Sequence, residues 1–286
     1  MKRKHCLKEL TIKDNFMFGA VMMDENNCKG FLERVLEMPI DRVEVSREKS
    51  IVYHPEYKGV RLDVYAKDEH RKHYNVEMQV RKKAALGKRS RYYQSQMDME
   101  ILLSGEDYAE IPDTYVIFLC DFDPFGEEKY RYTFAMKCRE SEETNLEDGR
   151  VILFLNTHGR NESEVPKELV TFLKYVKADL AESEEKFDDP YVEQLQKFIR
   201  RVKESREMEE RFMIFEEMLK EERAEGREEG RLEGYVNLLL NVLQEIGEVP
   251  PALQEKIASE KEEKVLIAWA KLAAKVTSIE EFMQKM

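Results

Sequence analysis

RLDVYAKDEHRKHYNVEMQV, residues 61–80, decides how this chain is read. Two runs, RLDVYA and HYNVEMQV, alternate apolar and polar residues with period 2 and are joined by a charged knot, the pattern of a half-buried β-hairpin. If Asp68 pairs with Lys72 around the loop Glu69-His70-Arg71, paired residue numbers sum to 140. Asp63 then falls opposite Glu77, and Arg61 opposite Gln79. Directly opposed side chains have Cβ atoms roughly 4.5–5.5 Å apart, where like charges destabilise a sheet. Two facing carboxylates therefore need an explanation.

A divalent cation supplies one, because Mg²⁺ takes hard oxygen ligands, often only one or two of them protein carboxylates, and leaves positions for water and phosphate. Glu77 and Gln79, two apart on a strand, share a face. The structural alternative is an edge-strand pair held by Arg61 or Lys72. Local charge favours the cation: residues 61–93 hold ten Lys or Arg against four acids, a local +6 in a chain of net charge -12. Basic side chains interleaved with Tyr92, Tyr93 and Gln94 suit a phosphate backbone, which sets register and affinity in nucleic-acid complexes. A solvated basic patch paired with the acidic tail is the other reading of the same residues.

Upstream, LTIKDNFMFGAVMMDENN reads as a short helix in which Thr11 caps and Asp14 falls three residues later. CKGFLERVLEM is a second helix, and VEVS and SIVYH are short strands before the hairpin. Leu86, Tyr93, Met97 and Ile101 recur at helical spacing over residues 86–104. TYVIFLCDF, 114–122, is almost wholly apolar and predicts a central strand covered on both faces. YRYTFAMKC alternates as a hairpin partner, VILFLNT is another buried strand, and ELVTFLKYVKADL closes the core with a helix. The order of elements predicts an α/β or α+β fold with a mixed central sheet flanked by helices.

The composition changes near residue 181, at AESEEKFDDP, which places a boundary after a core of 1–180. Residues 181–235 read as an acidic linker and a long charged helix, and 236–286 as a small helical cap in which Trp269 packs. Within the helix, Gly226, Gly230 and Gly234 recur every four residues, each costing about 1 kcal/mol relative to Ala. Close approach of a second helix, giving a homodimer, and a solvated surface helix both accommodate them. The four cysteines lie far apart without a C-x-x-C pair, and the basic start MKRKHCLKEL lacks an apolar stretch, so a reducing cytoplasm is expected. No run is long enough for a membrane span. No G-x-x-x-x-G-K-[ST] loop supports a nucleotide cofactor. His54, His70 and His73, at strand ends and turns, read as solvated, and Asp121 and Asp123 as turn residues.

The hairpin with Asp63, then E-M-Q at 77–79, then a helix opening KRSRYYQSQM, resembles the PD-(D/E)xK nuclease-family transposases, also called recombination-promoting nucleases. The opening KDNFMFGAVM, the glycine repeat and the helical cap extend the likeness over nearly the whole chain. The resemblance implies a restriction-endonuclease-like core and a metal-dependent DNA endonuclease, associated with recombination or mobile elements. Asp63 and Glu77 would hold Mg²⁺, or Mn²⁺, with the Met78 carbonyl as a further ligand. Gln79 falls where the wider superfamily has its catalytic lysine, so Arg61, or a helix cation such as Lys88 or Arg91, is expected to supply the missing charge. Arg81, Lys82, Lys88, Arg89, Arg91 and Tyr92 are the expected DNA contacts. The alternatives are a degenerate nuclease fold that binds nucleic acid or protein without cutting, and a core that serves only as scaffold for an oligomerising tail.

Overall fold

The computed structural model describes residues 6–51 and 60–286, with the side chains at 47–51, 60 and 61 outside the description. Among the described residues six strands form one mixed sheet: β1 (Val43–Ile51), β2 (Val60–Asp68), β3 (His73–Gln79), β4 (Thr114–Cys120), β5 (Arg131–Phe134) and β6 (Arg150–Asn156). Their order is β1-β2-β3-β4-β6-β5. β1, β2 and β3 are antiparallel, β3, β4 and β6 parallel, and β5 runs antiparallel on β6. The helices are α1 (Asn15–Met22), α2 (Glu25–Leu36), α3 (Leu86–Ile101), α4 (Lys167–Lys177), α5 (Pro190–Glu204), α6 (Arg206–Ile246), α7 (Pro251–Ser259), α8 (Glu263–Ala273) and α9 (Ile279–Lys285). No helix among the described residues is long and apolar enough to cross a membrane.

The hairpin forms because its loop is built by its own residues. Asp68 N–H donates to the Lys72 carbonyl, and the Asp68 carboxylate accepts from His70 N–H, Lys72 N–H and the Tyr74 hydroxyl at 2.9, 2.8 and 2.7 Å. Arg71 takes a left-handed φ of 64° to close the turn. The observed pairs, Val64 with Val76, Tyr65 with Asn75, Ala66 with Tyr74 and Lys67 with His73, all sum to the expected 140. The next step, β3 to β4, is parallel and needs a crossover, which α3 provides.

In β4, Val116, Phe118 and Cys120 alternate with Ile117 and Leu119, and all five are fully buried, so both sheet faces are covered. On one face α3 sets Leu86, Tyr93 and Met97 against Val116, Phe118, Cys120 and Phe154. The other face is left to α1, α2, α4 and α5, which pack on one another while α1 and α2 reach β2 and β1.

Two expectations differ in detail. VEVS and SIVYH belong to one continuous strand, β1, as far as Ile51, because β2 pairs along its whole length; residues 52–54 lie outside the described residues. α1 starts at Asn15 rather than after Thr11, with Asp14 as its N-cap residue. Asp14 Oδ2 accepts from Thr11 N–H at 2.6 Å and from the Thr11 hydroxyl at 3.2 Å, so only the backward half of the capping box forms.

Contacts divide the chain into one compact unit of residues 1–210 and a second of 211–286. The sequence placed the break near 180. α5 belongs instead with the first unit, because Asp189 caps it at Tyr191 and Val192 N–H (2.9 and 3.0 Å) and also meets Arg34 of α2 at 3.2 Å. Tyr191, Val192, Leu195, Ile199 and Val202 form its buried stripe. In the second unit Leu239 and Leu243 of α6 meet Leu253, Ile257, Leu266, Ile279 and Phe282 in a small core on which Trp269 packs.

Candidate active site

The face of β2 and β3 that lies under α3 carries Asp63, Tyr65, Asn75, Glu77 and Gln79, as strand alternation requires. One step past the Val64–Val76 pair, the Asp63 N–H donates to Glu77 Oε1 and the Met78 N–H to Asp63 Oδ2, both at 3.3 Å. Asp63 and Glu77 thus converge across the strands. Glu77 is wholly buried and Gln79 5 % exposed. Burial, and then the charge of Asp63, push the Glu77 carboxyl up to about 8; Arg89, the Asp63 N–H and the nearby Asn75 amide oppose them.

α3 adds the cation. Its Arg89 sits one turn before Tyr93 and two before Met97, on the stripe that faces the sheet. Nη2 donates to Glu77 Oε2 at 3.0 Å, Nη1 to Gln79 Oε1 at 3.3 Å, and Nε to the Tyr93 hydroxyl at 2.7 Å. The guanidinium carbon lies 4.8 Å from the Tyr93 ring centre and 5.9 Å from that of Phe118. Gln94 ties the same helix to β4, donating from Nε2 to the Thr114 carbonyl at 2.8 Å and to its hydroxyl at 2.9 Å.

The other expected residues divide by position. Arg81, Lys82, Lys88 and Arg91 are exposed, on the loop after β3 and on the first turns of α3, and Tyr92 is half-buried. Among the described residues no ion pair takes up those four cations. Arg89, expected from sequence only as a DNA contact, points inward. The signal for it was present: residues 89, 93 and 97 are successive turns of one face, and Tyr93 and Met97 belong to the apolar helical spacing read from the sequence. The Arg61 side chain and His54 lie outside the described residues. Asp14 is held by Thr11 and lies near Lys203 of α5. His73 is paired with the Tyr65 hydroxyl rather than solvated, and His70 is exposed. Asp123 accepts from Phe125, Gly126 and Glu128 N–H, as a turn residue does.

The donor set suits a hard divalent cation. Two carboxylates meet in a desolvated site, one of them shifted toward its protonated form, and a bound cation would relieve both costs. Among the described residues no group of three or more His, Cys, Asp or Glu gathers into a denser metal cluster. A family model describing PD-(D/E)XK nuclease family transposases matches residues 14–228. No curated protein and no solved structure matches the chain.

Proposed function

Because the chain belongs to the PD-(D/E)XK nuclease family transposases, we propose that it is a Mg²⁺-dependent DNA endonuclease serving recombination or mobile elements. The observation that carries this reading is the convergence of the half-buried Asp63 on the wholly buried Glu77. Those two carboxylates would hold the ion, with the Met78 carbonyl as a third protein oxygen. A metal so held supplies an acidified water and neutralises phosphate charge. Hydrolysis there would join the water oxygen to phosphorus and break one P–O ester bond, leaving a phosphomonoester and a free hydroxyl that takes up the water's proton.

The chain's own residues hold the substrate. Arg81, Lys82, Lys88 and Arg91 stand exposed beside the carboxylates in sequence and along one helix end, where they can follow consecutive phosphates. Tyr92 lies half-buried in the same stretch. Pairing of two chains through α6 belongs to the proposal, since Ile214 and Met218 are 61 and 48 % exposed there and Gly226, Gly230 and Gly234 have open space around them. A cytoplasmic setting accords with four free cysteines.

The test is cleavage of supercoiled and linear DNA with Mg²⁺, Mn²⁺ or EDTA, beside Asp63→Ala and Glu77→Ala. Metal-dependent cutting abolished by both substitutions is the expected result. One observation favours a second reading: Gln79, a neutral amide, stands where the superfamily's lysine is expected, as in a fold that binds DNA without cutting. Retained DNA binding with no cutting under any metal would select that reading.

A further inference from the structure

We propose that Arg89 is the catalytic cation of this site and that Gln79 positions it; the inference rests on the nuclease reading above. A lysine two residues after Glu77 would share its strand face and place an ammonium beside the reacting phosphate. Here the amide at 79 cannot carry charge, but its Oε1 accepts from Arg89 Nη1 at 3.3 Å while Glu77 Oε2 accepts from Nη2 at 3.0 Å. The positive charge has moved from the strand to the helix, and it arrives in the same place.

The exchange explains the glutamine. A lysine at 79 would set a second cation against the guanidinium, whereas an amide oxygen attracts it, so Gln79 and Arg89 make sense as one unit. The guanidinium is fixed on its remaining side by the Tyr93 hydroxyl at 2.7 Å and by the Tyr93 and Phe118 rings, which are stacked on each other. An arginine has five N–H donors, and these three bonds use one each from Nε, Nη1 and Nη2. The other two remain for a phosphate oxygen, and the side chain is 28 % exposed, so it is not sealed from solvent. Lys88 and Arg91, the neighbouring cations, lie exposed away from this stripe. As a permanently charged group, Arg89 stabilises charge on the transition state and takes no proton.

The competing role for Arg89 is structural, as the counter-ion that holds Glu77 in place. A charge-relocation experiment separates the two. Wild type, Arg89→Met, Gln79→Lys and the double variant Gln79→Lys/Arg89→Met are compared for kcat and KM on a supercoiled plasmid, with Asp63→Ala as the metal-ligand control. Methionine keeps the stem that packs on Tyr93 and Phe118, and Arg89→Gln, also uncharged, serves in its place with the same expected outcomes should it fail to fold. Arg89→Met is expected to lower kcat by about 10²–10³-fold with KM changed only a few-fold. Gln79→Lys alone is expected to be impaired by repulsion, and the double variant to recover at least about tenfold over Arg89→Met. Mn²⁺ affinity without DNA, read by calorimetry, is expected to be unchanged or tighter in Arg89→Met, because a competing positive charge has left Glu77. Weaker Mn²⁺ binding by tenfold or more would show that Arg89 acts by holding Glu77, and would overturn the assignment. So would an undiminished kcat in Arg89→Met, or a double variant no better than it. Wild-type protein that does not cut removes the nuclease reading and this assignment together; wild type that cuts beside an unaffected Arg89→Met removes the assignment alone.

Discussion

Glu77 is where residue-scale physics is sharpest. Burial and the charge of Asp63 push its carboxyl from an ordinary 4.5 up to about 8 in the folded chain. The fold therefore favours the protonated form. That contribution is fully present below the unfolded value of about 4.5 and is lost as pH rises through about 8. Glu77→Gln, which cannot ionise, escapes the loss. In EDTA, urea unfolding should show wild type losing stability between pH 5 and pH 9 relative to Glu77→Gln, by a few kcal/mol at most. Parallel midpoints at the two pH values would contradict the assigned environment. The pairing behind this environment was legible from a single turn, since Asp68 and Lys72 fixed the sum of 140. Arg89 was not, although its spacing from Tyr93 and Met97 was visible, because a charged residue on a core stripe reads as an exposed one until its partners are known.

At the scale of elements, α2 and α5 meet so closely that a glycine is required. A Cβ on Gly30 would lie 2.6 Å from Tyr191 Cε2 and 2.9 Å from Cδ2. That ring is buried, and its hydroxyl donates to the Asn27 carbonyl at 2.6 Å, so it cannot swing aside without losing the bond. Gly30→Ala is thus expected to destabilise by about 1–3 kcal/mol of overpacking, less the roughly 1 kcal/mol that alanine gains in a helix. Gly87→Ala in α3, with nothing within 4 Å, is the matched control and should raise helix stability. Thermal unfolding of the two variants should shift in opposite directions. The start of α5 was written in the sequence as Asp189-Pro190, a cap and a first-turn proline, but those residues also suit the end of a linker. What separates the readings is the stripe Tyr191, Leu195, Ile199, Val202 and the partner surface it finds on α1, α2 and α4.

For the whole molecule, the consequence is a different place to cut. A chain ending at residue 210 should fold cooperatively, whereas one ending at 180 loses α5 and exposes the apolar surfaces of α1, α2 and α4 that it covers. Circular dichroism and urea melts of the two fragments would decide; a stable 1–180 fragment would contradict the packing described. Charge acts at this scale as well. A chain of net charge -12 repels DNA on average, so the proposed binding would run through the local basic stretch. Lys82→Ala and Lys88→Ala should each weaken binding about equally across sequences and reduce the salt slope by about one; unchanged slopes would place the DNA elsewhere. Periodicity and turn chemistry let the sequence by itself determine the mixed sheet, the hairpin register and the facing of Asp63 and Glu77, because those depend on neighbours along the chain. Only the tertiary structure decided that Arg89 turns onto Glu77 and Gln79 and that α5 joins the first unit. Both depend on which surfaces, far apart in sequence, come into contact and leave water, and a one-dimensional pattern carries the stripe but not the partner that buries it.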